Sequence, residues 1–338
     1  MPSSEQILFL ANHLLGYFFR TKQTHTPNSI LIVKLDEIGD AICALPAINE
    51  LAKQNPGAQI DILCNSYCND IFKNIKGVHE VFNKPSEWNK KYDWVAELRG
   101  NWKTFWKSLR YRPQARFNRG SARLNNKGNQ KHEVQTNFDI FASINLIDSG
   151  SRPWQNSIKN KDAIQNFTLN NNIQSFAVFH ASARRELRKW KPESFKQISK
   201  YLWNKHQIKS IYIGVSSEFD QVEEITFGND EFAFNATGKF NIPELAEVLK
   251  ESKLFIGNES GPLQLADYLA IPSVSLFGPG VKDIFYPITP NSRVLHHVLD
   301  CNPCDQIHCV KEIPCINLIE LSDVQIAIEE VLENLGKD

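Results

Sequence analysis

Short runs of β-branched and aliphatic residues alternate along this chain with stretches in which apolar positions recur every three or four residues. The run SILIVKL at 29–35 reads as a buried parallel strand. Ile42, Leu45, Ile48 and Leu51 follow at helical spacing and predict a helix over 40–53. The same reading predicts strands at 59–64, 78–82, 93–98 and 115–118, with helices at 69–73 and 101–109. Proline and asparagine mark most of the intervening turns. After a polar stretch at 148–172 the pattern restarts. Strands at 176–180, 209–214, 232–235, 254–256 and 273–277 alternate with helices at 193–205, 220–226, 243–250 and 263–269, and a last helix is predicted at 323–335. Two successive series of this kind predict an α/β protein of two Rossmann-like, doubly wound domains facing a central cleft. The expected boundaries are 1–155 for the first domain, 156–172 for a linker and 173–320 for the second. Residues 321–338 are expected as a C-terminal helix packing back toward the first domain.

Composition adds three points. First, the chain has 338 residues, 42% apolar content and no apolar run near 18 residues, enough for two cores and no membrane span. Second, the seven cysteines are an odd number, and Glu5 and Asn12 interrupt the N-terminal apolar stretch, so the reading is a reducing, cytoplasmic setting without a secretory signal. Residues 5–20 read as an amphipathic helix that either docks on the domain or lies on a membrane surface. Third, the balanced net charge hides a basic segment. Arg99, Lys103, Lys107, Arg110, Arg112, Arg116, Arg119, Arg123, Lys127 and Lys131 follow one another with no Asp or Glu among them. Such a segment expects an anionic partner, and its 118–131 portion reads as a long surface loop.

Candidate chemistry gathers at strand ends. Asp36, Glu37 and Asp40 follow the first strand. Gly39 permits a tight turn there, and Asp40 is either a helix N-cap or a carboxylate turned to the cleft; any one of the three acids, with a raised pKa, would serve as a general base. His180-Ala-Ser182 is followed by Arg184, Arg185, Arg188, Lys189 and Lys191, a hydroxyl and five cations of the kind a diphosphate needs; a solvated basic loop is the plainer reading. Glu259-Ser260-Gly261-Pro262 stands at the start of a helix, where free N–H groups and the helix dipole suit a phosphate. Cys301, Cys304, Cys309 and Cys315 read by default as packed thiols, with structural zinc as the alternative. The chain contains no G-x-G-x-x-G, Walker loop or H-E-x-x-H, which argues against a nicotinamide enzyme.

Several of these segments together resemble glycosyltransferase family 9, the ADP-heptose lipopolysaccharide heptosyltransferases. The resemblance rests on Val33-Lys-Leu-Asp-Glu-Ile-Gly-Asp40 with Leu45-Pro46, on Tyr92-Asp93 through Arg99-Gly100, and on His180-Ala-Ser with Trp190. It continues in Gly257-Asn-Glu-Ser-Gly-Pro-Leu-Gln-Leu-Ala266, Leu276-Phe-Gly-Pro279 and the cysteine-bearing run 301–321. It implies a GT-B fold, with acceptor on the first domain and nucleotide sugar on the second. The implied chemistry is inverting transfer with no metal or other cofactor, from a nucleotide-diphosphate sugar such as ADP-heptose. By resemblance Asp40 is the general base. Ser182 and Arg188, with Lys189 as a rival, hold the diphosphate. Glu218 binds ribose, Phe240 lines the adenine pocket, and Ser260 and Gly261 donate N–H groups to the phosphates. Arg99, Lys103 and Lys107 fall on the acceptor face. Glu259 replaces the family's usual Asp and Gln264 its usual His, beside the donor sugar. The implied partner is an anionic glycolipid, the lipopolysaccharide core, reached from the cytoplasmic face of the inner membrane. A UDP-hexose donor is the nearest alternative. A nucleic-acid-binding protein using the segment 99–131, with Trp102, Phe105, Trp106, Tyr111 and Phe117 stacking on bases, leaves the second-half phosphate residues unexplained.

Overall fold

The computed structural model describes residues 7, 10, 11, 14, 26–73, 75–125, 131–154, 162–302, 304 and 306–336. The expected helix at 5–20 lies mostly outside them; Ile7, Leu10, Ala11 and Leu14 are helical, and the three larger side chains are exposed. The chain divides into two units, Met1–Asn156 and Ser157–Asp338.

In the first unit, β1 (Ser29–Lys34), β2 (Gln59–Cys64), β3 (Val78–Phe82), β4 (Trp94–Arg99) and β5 (Ala115–Asn118) form one parallel sheet in the order β3-β2-β1-β4-β5. β1 is central because Ile30, Leu31, Ile32 and Val33 are apolar on both faces and fully buried. Its crossover helices are α1 (Ile38–Gln54) and the short α2 (Asn69–Phe72), and α3 (Trp102–Tyr111) follows β4. A reciprocal capping box of Asn101 and Thr104 starts α3 directly after β4.

The sequence pattern misses α4 (Arg119–Asn125), which takes up half of the expected loop at 118–131, and α5 (Glu133–Ile140), which follows it; residues 126–130 lie outside the described set. The physical reason is that α5 buries polar groups. Glu133, Thr136 and Asn137 face inward, and Asn137 Nδ2 donates to the Cys43 carbonyl of α1 at 3.3 Å. An apolar periodicity cannot report such a face.

The second unit opens with α6 (Asp162–Asn170), which occupies much of the stretch expected as linker. Its sheet comprises β6 (Phe176–His180), β7 (Lys209–Tyr212), β8 (Ala233–Asn235), β9 (Phe255–Asn258), β10 (Ser273–Phe277) and β11 (Arg293–His296). The order is β11-β10-β9-β6-β7-β8, all parallel. Helices α7 (Pro192–His206), α8 (Phe219–Thr226), α9 (Ile242–Glu251), α10 (Gly261–Tyr268), α11 (Lys282–Phe285) and α12 (Leu321–Leu335) intervene or follow. α12 packs on the second unit. Its Val324, Ala327, Ile328 and Val331 are buried in the core formed by Phe179, Ile198, Leu202 and Leu276 of the second unit. Among the described residues no helix is long and apolar enough to cross a membrane.

Candidate active site

In an open parallel sheet, ligands bind at the carboxyl ends of the strands where the strand order reverses. In the first unit that point lies between β1 and β4, and a cluster of buried charges fills it. Lys34 ends β1 fully buried, with its ammonium 2.7 Å from Asp36 Oδ2 and 3.8 Å from Glu133 Oε1. Asp36 Oδ1 also accepts from Arg99 Nε at 2.9 Å. The Arg119 guanidinium, 3% exposed, grips both oxygens of Glu133. A bidentate pair of this kind is the strong form of ion pair.

Asp40 sits half-buried beside this cluster, in the first turn of α1. The N-cap is Glu37, so Asp40 is not the cap. Gly39 lies inside the helix and does not take the left-handed backbone of a tight turn. Burial first, then the charge of Asp36, raises the Asp40 pKa to about 6, although Lys34 and Arg119 pull it down. A carboxylate with a proton affinity near neutrality is suited to general base chemistry. Of the three acids in this segment, Asp36 is tied to two cations and Glu37 is exposed.

The basic segment is less exposed than its composition implies. The Lys107 ammonium donates to the carbonyls of Pro85 and Trp88, both at 2.5 Å. Arg116 lies over the Phe105 ring, and Lys131 pairs with Asp139. Of the three expected acceptor cations, only Lys103 remains an exposed side chain on α3, beside exposed Trp102, Trp106 and Arg110. Phe105 and Phe117 are buried and Tyr111 packs on Trp88, so they are not a stacking surface for bases.

In the second unit the order reverses between β6 and β9. Ser182, just beyond β6, is 1% exposed. Ser260 is the N-cap of α10 and makes no side-chain cap bond. Among the described residues, neither Ser182 Oγ nor Ser260 Oγ has a hydrogen-bond partner. Such orphaned buried hydroxyls are uncommon and call for an explanation. Pro262 stands in the first turn of α10, where its missing N–H costs nothing, and Gly261 opens the helix with a free N–H direction.

Asn258 holds the two strand ends together. Its Oδ1 accepts the Trp190 N–H at 3.1 Å and its Nδ2 donates to the Ala181 carbonyl at 2.7 Å. Sequence reasoning quoted this residue only as part of a motif; an asparagine closing a fully buried strand is the signal. Gly257 allows the close approach, since a Cβ there would stand 2.7 Å from the His180 carbonyl.

Arg188 and Lys189, the two rivals for the diphosphate, have different partners. Arg188 Nη1 lies 3.1 Å from Glu259 Oε1 and its Nε donates to Gln306 Oε1 at 2.8 Å. Lys189 instead reaches Gln221 and Glu186. Glu218 closes a 3-10 turn (Ser216–Glu218) that follows β7, taking the Val215 N–H at 2.9 Å. Any side chain at Gly214 would strike its carboxylate. Buried His180, 3.9 Å from Glu218, has its pKa lowered to about 4 by desolvation and is neutral at pH 7. Phe240 packs edge-on against Phe167 of α6, with ring centroids 5.6 Å apart. Gln264 donates to the Phe285 carbonyl at 2.7 Å.

One further set of ligand-type atoms, in Asp61, His79 and Glu80, lies within 4.8 Å. Asp61 already accepts from Lys90, Tyr92 and His79, and an ammonium at 2.5 Å is a poor neighbour for a cation.

The model of the family described as glycosyltransferase family 9 (heptosyltransferase) matches residues 89–313, more than half of the chain. The Asp40 motif precedes the matched region. No curated protein sequence matches significantly. Among solved structures, a family 9 glycosyltransferase from Veillonella parvula superposes with TM-score 0.75 at 18% identity, covering 91% of this chain and 97% of the other. ADP-heptose lipopolysaccharide heptosyltransferase II of E. coli gives 0.70 at 17% identity, covering 91% and 99%. E. coli heptosyltransferase WaaC with ADP gives 0.62 at 20%, covering 90% and 98%. At these identities the likeness shows a shared fold, the two-domain GT-B architecture.

Proposed function

The chain belongs to glycosyltransferase family 9, and from that premise we propose that it transfers heptose from ADP-heptose to an anionic glycolipid, the lipopolysaccharide core, with inversion at the anomeric carbon. The observation that carries the donor reading is the pair of buried, unpartnered hydroxyls, Ser182 and Ser260, beside the open end of α10. Two hydroxyls, helix N–H groups and the nearby Arg188 supply what a diphosphate requires. ADP as the nucleotude's identity is supported by two structural neighbours, one named for ADP-heptose and one bound to ADP.

In this reading the first domain carries the acceptor and the base. Asp40 takes the proton of the acceptor hydroxyl as that oxygen attacks the anomeric carbon. The bond from that carbon to the diphosphate oxygen breaks on the opposite face, and its electron pair leaves with the nucleotide. Ser182, Ser260 and the first N–H groups of α10 stabilise the charge that develops on the departing phosphate. Arg188 adds charge-assisted bonds, and Glu218 meets the ribose. By resemblance Glu259 and Gln264 take the places of the family's sugar contacts, and both have protein partners here, which bears on the choice of sugar. Exposed Trp102, Trp106, Lys103 and Arg110 on one helix support peripheral contact with an anionic membrane surface on the cytoplasmic side.

Calorimetric titration with ADP and, separately, UDP tests the donor. Tighter binding of ADP, weakened in Arg188→Ala and Glu218→Ala, is the expected result. A preference for UDP would move the donor class to UDP-hexoses. Binding of neither nucleotide would overturn the assignment of the pocket.

A further inference from the structure

Glu133, in the first turn of α5, is buried among charges rather than among apolar side chains. Arg119, at the start of α4, grips both of its oxygens, and its Oε1 lies 3.8 Å from the buried Lys34 ammonium. A buried ion pair contributes little stability beyond that of apolar side chains of similar volume, so stability alone is a weak account of this arrangement.

α5 sets Glu133 beside the first turn of α1. Asn137, one turn after Glu133, donates to the Cys43 carbonyl, and Cys43 stands three residues after Asp40. The same amide donates to the Glu133 carbonyl at 2.8 Å. Lys34 and Asp36, at and just past the end of β1, close the gap between the two helices. The charges that bear on Asp40 thus come from separate elements: Lys34 and Asp36 from the end of β1, Arg119 from α4 and Glu133 from α5. Arg99 of β4 joins them through Asp36. Of the other nearby acids, Glu37 is exposed, and Glu97 of β4 acts on Arg116. Three cations therefore face two carboxylates besides Asp40. Without Glu133 they would face one, and Asp40 would become the natural counter-ion of Arg119 and Lys34. A carboxylate held by two cations is a weak base.

We propose that Glu133 is a positioning residue for the transfer reaction: by gripping Arg119 and facing Lys34, it keeps two buried cations from claiming the Asp40 carboxylate and so leaves Asp40 able to accept a proton. The signs of the local field agree. Burial first, then Asp36 and Glu133, push the Asp40 carboxyl up, whereas Lys34 and Arg119 pull it down. The catalytic part of this inference rests on the proposed role of Asp40 as base; the coupling between Glu133 and Asp40 does not.

Carbon-13 NMR of full-length protein labelled at the aspartate carboxyl carbons follows Asp40 directly, its signal being the one lost in Asp40→Asn. The wild type is expected to titrate near 6. Glu133→Gln is expected to move that midpoint down by about one pH unit or more, and Glu133→Gln with Arg119→Met, which removes the pair together, to return it to within about half a unit of wild type. If Glu133→Gln does not fold, Arg119→Met carries the measurement from the other side. It leaves the Glu133 charge uncancelled and should move Asp40 up by about one unit. An Asp40 titration unmoved in whichever single variant folds overturns the proposal, even if turnover falls, because a merely structural role lowers rates without moving that titration. So does a double variant displaced as far as Glu133→Gln. In steady-state rates with ADP-heptose as donor, the acid limb of kcat/KM should follow the NMR midpoint in each variant. A limb that stays in place while the midpoint moves would remove Asp40 as the base, and with it the catalytic role of Glu133, while the coupling itself stands.

Discussion

The two domains share a parallel, doubly wound topology and place opposite kinds of surface at the same topological position. Where the first sheet reverses order, charges are matched: Lys34 with Asp36, Asp36 with Arg99, Arg119 with Glu133. Where the second sheet reverses order, two buried hydroxyls have no partner among the described residues and a helix end stands uncapped by side chain. The contrast separates two tasks. A group that moves a proton needs a fixed field around it, and matched charges provide one that does not rearrange during reaction. Groups that hold an exchangeable ligand need donors not already engaged, since displacing an existing bond cancels most of the gain.

The sharpest way to break this contrast is at Asp40. Asp40→Asn is expected to lower turnover by about 10²–10⁴-fold, the range for loss of a general base, while ADP affinity stays within about twofold. In the wild type, kcat/KM should rise with pH through about 6, the Asp40 pKa, because only the ionised carboxylate accepts the proton. Steady-state rates across pH check both, and a wild-type rate in the variant would place the base elsewhere.

Glu133→Gln attacks the matched charges instead. It leaves Arg119 and Lys34 buried with less negative charge, and should destabilise the first domain by about 3–5 kcal/mol in urea unfolding. A loss below about 1 kcal/mol would show that the network contributes little beyond what water supplies.

The second domain should respond in binding rather than stability. Arg188→Ala is expected to weaken ADP about 10–100-fold and Ser182→Ala about 3–10-fold, by calorimetry, with little change in melting temperature. Equal losses in stability would make these residues structural.

The smallest effect has an unusual sign. The folded-state pKa of Asp40 is raised, so the carboxyl favours the fold when protonated. That contribution is complete below the unfolded value of 3.8 and is lost as pH rises through about 6. Asn mimics the protonated form. Asp40→Asn should therefore melt a few degrees higher than wild type at about pH 7.5, and the gain should vanish near pH 4. Calorimetric scans at the two pH values decide it.

Most strands were legible because parallel strands read as continuous apolar runs; β5, β6 and β10 fall where the pattern places them. Ser182 and Ser260 were legible from residue type at strand ends. The charge cluster was not, because its members are far apart in sequence and α5 hides behind polar spacing. Its one signal was Lys34, a cation ending an otherwise apolar strand. The basic segment misled for the converse reason: composition counts Lys107 and Arg119 as surface charge, whereas carbonyls and a carboxylate enclose them.

Lys34 also bears on synthesis. As the chain emerges from the ribosome, β1 is made early with Asp36 close behind it, but the Arg119 guanidinium and the second counter-charge of Lys34 both wait for Glu133, about a hundred residues downstream of Lys34. Until that carboxylate is available, closing the sheet would bury cations with too little counter-charge. The nascent first domain should thus hold off final compaction until α5 has cleared the exit tunnel, and any fragment ending before residue 133 should behave as an expanded, protease-sensitive chain.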